Sequence, residues 1–149
     1  MENKNIVIAC DHAGFDYKND LIKYLEAKGY NMTDVGTDSP ESCDYPIPVH
    51  RLCTEITEGE CPRGILICGT GIGISIAANK VKGIRCALLS DVMSARMTRE
   101  HNDTNMMAIG AAVVGKMLAF EIIDTWLGTE FSHDERHQRR INKLMAVEN

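Results

Sequence analysis

The chain has 149 residues, 44 % hydrophobic and 25 % charged, which suits one domain built around one sizeable core. Its net charge of −5 and aromatic content of 5 % argue against a broad nucleic-acid or anionic-membrane surface and against a base-stacking platform. There is no apolar run of ~20 residues, no signal-peptide plan at the N-terminus and no Cys-x-x-Cys pair among the six cysteines, so a cytoplasmic protein with reduced thiols is expected.

In chain order, "NIVIAC" (5–10) is predicted as a short, β-branched, buried strand. A helix follows from Phe15 to Lys28, with Gly29 as its stop, and then a weaker strand at "YNMTDVG" (30–36). Three prolines mark "DSPESCDYPIPV" as a loop, and the next helix is predicted over Val49–Glu58. "GILIC" (64–68) is a strand, followed by a helix over Ile74–Val81. "IRCALL" (84–89) is a strand, "DVMSARMTREH" (91–101) a helix and "NMMAIGA" (105–111) the last strand. Helices over Lys116–Leu127 and His133–Ala146 end the chain. Apolar strands alternating with helices imply a Rossmann-like three-layer α/β/α sandwich with a five-stranded parallel sheet. Ligands of such sheets lie beyond the carboxyl ends of the strands, so "CDHAG", "CGTGIG" and "SD" should converge there.

The stretch "CGTGIG" carries the most chemistry. Gly69, Gly71 and Gly73 alternate after a strand and before a helix, which exceeds what a tight turn needs and favours a ligand. A dinucleotide fingerprint would need glycine at Ile74, and a Walker loop would need Gly-Lys-Ser/Thr; Asp91 lies at about the spacing (~20 residues) of a ribose-binding acid. Most cysteines here read as small buried hydrophobes, but Cys68 stands where loop amides and a helix start can favour a thiolate, as nucleophile or as base. Thr70 adds a hydroxyl. His12 and His101 fall at loop or helix ends on the expected ligand side, whereas His50 reads as an ordinary surface residue. In "HDERH", Asp134 replaces the glutamate of a metalloprotease motif, so His133 and His137 read as a solvated helix start. Ser132 and Glu135 fit a capping box that begins the helix at His133, and Arg136 and Arg140 then share a face, at a spacing that suits a phosphate.

Taken together, "CDHAG", "DYP", "ICGTGIGISIAANK", "GIR", "REHNDTN" and "RHQRR", in this order over nearly the whole chain, resemble the type B ribose-5-phosphate isomerase family, which includes galactose-6-phosphate isomerase subunits. The resemblance implies a homodimer or dimer of dimers with the site at the subunit interface, no metal, no cofactor, and interconversion of the phosphorylated sugars ribose 5-phosphate and ribulose 5-phosphate. It implies Cys68 as the proton acceptor, with Gly69, Thr70, Gly71, Ile72 and Gly73 holding the reacting end and the enediolate oxygens. His101 matches the residue that opens the furanose ring; Asp11, His12 and Asn102 match sugar contacts, with Tyr45 nearby. Arg136 and Arg140 match phosphate ligands, which the resemblance allows to come from a second subunit. Two positions depart from the pattern: Ala112 stands where relatives commonly carry arginine, and Glu135 where glycine often precedes the Arg-His pair. Ala112 keeps open a six-carbon substrate such as allose 6-phosphate or galactose 6-phosphate, and the glycine loop with Asp91 keeps open a non-catalytic nucleotide-binding module.

Overall fold

The computed structural model describes residues 3–36, 46–59 and 61–148. Its elements are β1 (Asn5–Cys10), a 3-10 turn (His12–Gly14), α1 (Phe15–Ala27), β2 (Asn31–Asp34), α2 (Pro46–Thr57), β3 (Arg63–Cys68), α3 (Ile72–Asn79), β4 (Cys86–Leu88), α4 (Val92–Asn102), β5 (Met106–Gly110), α5 (Lys116–Gly128) and α6 (Glu135–Ala146). The five strands form one parallel sheet in the order β2-β1-β3-β5-β4. The three-layer sandwich expected from the alternating pattern is therefore present.

Alternation along the central strands assigns the helices to their faces. Ile6, Ile8 and Cys10, Ile65 and Ile67, and Met107 and Ile109 pack with α1, α4 and α5. Val7 and Ala9, Leu66 and Cys68, and Met106 and Ala108 pack with α2 and α3. All these residues are buried, which is why β1, β3 and β5 read as continuous apolar runs. The edge strands are shorter and more open, β4 having three residues and β2 four.

The elements differ from the sequence reading mainly at helix starts. α2 begins at Pro46, three residues early, because its first turn needs no intrahelical N–H and tolerates proline. α3 runs over Ile72–Asn79, not Ile74–Val81, since Gly71, at φ 81°, turns the chain directly into it. α6 begins at Glu135 because Asp134, not Ser132, is its N-cap, accepting a hydrogen bond from the Arg136 N–H at 2.8 Å. The Tyr45 assignment lies outside the described residues.

β3 and β5 leave the sheet in close contact. The Ala111 N–H donates to the Cys68 carbonyl at 2.8 Å, and the Ala112 N–H to the Gly69 carbonyl at 2.9 Å. A Cβ on Gly110 would stand 2.5 Å from the Thr70 carbonyl oxygen, and one on Gly71 would stand 2.6 Å from Leu88 Cδ1 and 3.0 Å from the Ile109 backbone. By contrast, a Cβ on Gly115 meets nothing within 4 Å. Gly110→Ala should therefore destabilise by about 2 kcal/mol or more, the scale of an overpacked core, while Gly115→Ala stays within about 0.5 kcal/mol. Urea unfolding of both variants at equal protein concentration checks this; equal effects would refute the packing argument.

Candidate active site

The turn after β3 is built around a sulfur. Cys68, the last residue of β3, is buried and faces the α2/α3 layer. The backbone N–H of Gly71 donates to its Sγ at 3.0 Å, directing the positive end of a peptide dipole at the sulfur. Thr70 Oγ1 accepts from the Ile72 N–H at 3.2 Å, which leaves its O–H available as a donor. Ile72 and Gly73 open α3, where the first N–H groups of a helix have no intrahelical acceptor. The other thiols in that layer have different surroundings. Burial pushes Cys53 up to about 11 and Cys86 further, so both stay protonated near neutral pH.

The turn after β1 lies beside it. The Asp11 N–H donates to the Ile67 carbonyl at 3.1 Å, and its carboxylate accepts from the Ala13 N–H at 2.9 Å, which presents His12 at the carboxyl edge of the sheet. β1 and β3 are neighbours whose connections leave toward opposite sides, so this is the topological switch point, where ligands of open α/β sheets bind. Asp11, His12 and the Cys68–Gly73 turn therefore form one cluster. Exposed Ala112 sits next to it, through the bond to Gly69.

His101 and Asn102 are elsewhere, contrary to the sequence reading. α4 starts beyond the carboxyl end of β4 and returns to the opposite edge. There the side chain of Arg85, which immediately precedes β4, donates to the carbonyls of Asn102 at 2.9 Å and Asp103 at 2.7 Å. Cys68 pairs in register with Gly110 at the far end of β5. A five-residue strand covers about 13 Å from first to last residue, and the 11 residues of α4 cover about 16 Å. The thiol and the imidazole of one chain are thus on opposite edges of its sheet.

At this second edge α6 packs on α4 and completes another cluster. The buried His137 ring lies against the His101 ring, with centroids 4.2 Å apart and planes at 36°. His137 Nδ1 is 2.8 Å from Ser132 Oγ, and its Nε2 is 3.4 Å from a terminal nitrogen of Arg136. Arg136 and Arg140 are exposed on α6, flanking the buried His137 and Ile141. The sequence reading of His137 as solvated is corrected: it fills the α4/α6 contact. His133 has φ 59° before the helix begins, so it does not share a helical face with His137. Among the described residues no three His, Cys, Asp or Glu side chains gather as a metal set. The signal that could have revealed His137 is its i,i+4 spacing to Ile141, the buried stripe of α6.

Two further features bear on the alternatives. Asp91 is occupied as the N-cap of α4, accepting from the Ser94 N–H at 2.6 Å, and β5 separates its strand from β3. A ribose-binding acid belongs on the strand next to the glycine loop, so the nucleotide reading loses its support. A groove of about 990 Å³ runs along the edge strand β4, with His101, Asn102, Leu88, Met97, Leu144 and Val147 among its walls, and Cys68 does not line it.

The Ribose/Galactose Isomerase family profile matches residues 6–144. The chain is 46 % identical over 145 residues to ribose-5-phosphate isomerase B of Escherichia coli, covering 97 % of each. It is 49 % identical over 144 residues to a putative sugar phosphate isomerase of Bacillus subtilis, covering 96 % of each. The solved ribose-5-phosphate isomerase B of Clostridium thermocellum superposes with a TM-score of 0.94 at 48 % identity, with 97 % of both chains covered.

The cap of α6 gives a pH-dependent expectation. The Arg136 N–H holds the Asp134 carboxyl below its ordinary 3.8. A depressed folded value contributes stability above the unfolded value and loses it as pH falls through the folded one. Asp134→Ala should therefore lower the melting temperature at neutral pH, and its gap from the parent should close as pH drops below 3.8. Thermal scans down the pH series check this, and a gap that persists in acid would contradict it.

Proposed function

The chain belongs to the ribose/galactose isomerase family, and from that premise we propose that it interconverts D-ribose 5-phosphate and D-ribulose 5-phosphate through an enediolate. The observation that carries the mechanism is the Gly71 N–H at 3.0 Å from Cys68 Sγ. Aldose–ketose isomerisation moves a proton between adjacent carbons and develops negative charge on the neighbouring oxygens. Cys68 takes the proton from C2 and returns it to C1. Thr70 and the N–H groups at the start of α3 face the developing charge, and one such donor is worth about 10²–10³ in rate. Asp11, His12, Gly69, Gly71, Ile72 and Gly73 shape the surrounding pocket, with Tyr45 assigned to the same end of the sugar. His101 opens the furanose ring, Asn102 contacts the sugar, and Arg136 and Arg140 grip the phosphate.

One chain cannot bring these groups together. An open five-carbon sugar phosphate spans roughly 8 Å from C1 to phosphorus. It is too short to join the carboxyl edge, where Cys68 lies, to the edge that carries His101 and Arg136. The catalytic unit is therefore a pair of copies, each lending its His101–Arg136 edge to the thiol of the other. The surface supports this. Ile72 and Ile76 on α3, Leu88 on β4, Leu144 on α6 and Val147 just after it are each more than two-fifths exposed, apolar surface that solvent disfavours. A second copy covers it and encloses the site.

Cys68→Ala should lower turnover of ribose 5-phosphate by about 10³-fold while substrate binding survives, since a general base contributes about 10²–10⁴. Near-normal turnover would end the base assignment. The shared site has its own test. Cys68→Ala and His101→Ala are each expected to be inactive, yet mixing and reassembling them creates pairs with one intact site. Random pairing should restore about a quarter of the parent rate. Failure to recover activity, with mixed pairs demonstrated, would place both groups in one chain's site.

A further inference from the structure

His137 stands at the centre of the second cluster, and the proposed reaction leaves it without a role. It is a polar side chain only 7 % exposed, and three groups fix its ring. One face is covered by His101, with centroids 4.2 Å apart. Nδ1 meets Ser132 Oγ at 2.8 Å, and Nε2 meets the Arg136 guanidinium at 3.4 Å. The hydrogen-bonding inventory assigns the tautomer. A guanidinium has only donors, so Nε2 must present its lone pair. Nδ1 then carries the hydrogen and donates it to Ser132 Oγ, which also accepts from the Asp134 N–H at 3.2 Å. Ser132 is itself tied to α4, its N–H donating to the Glu100 carbonyl at 3.2 Å. The imidazole is therefore held from both helices and oriented by its hydrogen bonds.

We propose that His137 is a positioning residue, packed at a tilt against His101 and accepting from Arg136, that fixes the ring-opening imidazole and the phosphate-binding guanidinium relative to each other. The proposal rests on the isomerase reading above. Its physical basis is that His101 and Arg136 come from different helices, α4 and α6, and are half-buried and exposed respectively. Without a rigid body between them, each would sample several rotamers, and the ordering entropy would be lost on every binding event. Ser132 fixes the ring, the ring fixes His101 through its face, and its Nε2 restrains Arg136. In this reading His137 acts through His101 and Arg136.

The two contacts can be removed separately. His137→Phe keeps a ring against His101 but offers Arg136 no lone pair. His137→Gln keeps an acceptor at the Nε2 position but removes the ring. With ribose 5-phosphate as substrate, His137→Phe should raise KM about tenfold with kcat within about twofold, the loss of a charge-assisted bond that acts in binding. His137→Gln should lower kcat about threefold to tenfold with a smaller change in KM, the loss of one aromatic contact. Ser132→Ala should weaken both effects' common support and lower kcat/KM, and Ser132→Thr, which keeps the hydroxyl, should restore it. A purely structural role predicts that the two His137 variants shift kcat and KM alike and in step with the loss of oligomer on a sizing column; that pattern overturns the proposal. So does parent-like kinetics in Ser132→Ala together with either His137 variant. The parent enzyme run alongside separates the two readings. If it fails to isomerise ribose 5-phosphate, the functional reading falls and the inference with it; if it turns over and the split is absent, the inference alone falls.

Discussion

The close contact between the turns leaving β3 and β5 is the constraint on which the site depends. Two backbone bonds, from Ala111 to Cys68 at 2.8 Å and from Ala112 to Gly69 at 2.9 Å, join the turns beyond the last sheet pairing. They can form only because Gly110 has no Cβ to meet the Thr70 backbone and Gly71 takes φ 81° against Leu88. That approach brings the Gly71 N–H onto the Cys68 sulfur and starts α3 at Ile72. The N–H donor at the Cys68 sulfur and the start of α3 beside it are therefore consequences of a single packing decision. A turn one side chain wider would separate them.

The same sheet that makes this contact also keeps His101 and Arg136 a strand length away from Cys68 within a single chain. In a parallel sheet, a helix connecting two strands must run back to the starting edge, so anything at its C-terminal end is a strand length from the ligand edge. α4 carries His101 and Asn102 at that end, and Asp103, in the left-handed conformation at φ 45°, terminates the helix there. α6 then packs on α4 and brings Arg136 alongside. Separation of Cys68 from His101 and Arg136 within one chain is thus a property of the topology, and the proposed second copy would rejoin them. Buried Arg63 and Arg99 stiffen this edge by donating to the Trp126, Leu127 and Thr129 carbonyls at the end of α5, at 3.0, 3.1 and 3.2 Å. Such caps let α4 and the segment before α6 hold a fixed shape at the rim of the sheet.

Local physics made much of this legible beforehand. β1, β3 and β5 were readable because strands buried on both faces leave uninterrupted apolar runs, and β1 was bounded correctly to the residue. The site residues after β1 and β3 were placeable because the carboxyl-edge rule needs only the order of elements. The position of His101 is not legible from its lying at a helix end, because only the C-terminal end of α4 returns to the far edge of the sheet. His137 was misjudged for a different reason. Its partners, Ser132 and His101, are five and 36 positions away, and only the α4/α6 contact brings the second one in. Capping was misassigned for a local reason: Ser132 and Asp134 are both competent N-caps, and the choice fell to Asp134 once Ser132 Oγ was committed to the imidazole.

This competition between Ser132 and Asp134 links folding to chemistry. A serine serving as N-cap would have started α6 earlier and spent its oxygen on backbone. With the cap two residues on, that oxygen accepts only the Asp134 N–H from the backbone and also meets His137, and His133 stands at φ 59° in the bend. The bend also sets the direction from which α6 enters, and so where Arg136 and Arg140 project. Substrate orientation by a remote phosphate is effective only if the cations holding it keep a fixed vector relative to the reacting carbon. In the proposed two-copy site, that vector would pass through α4, across the interface and into the glycine turn. The proposed site therefore asks for rigidity at the start of α6, which Ser132 and Asp134 supply.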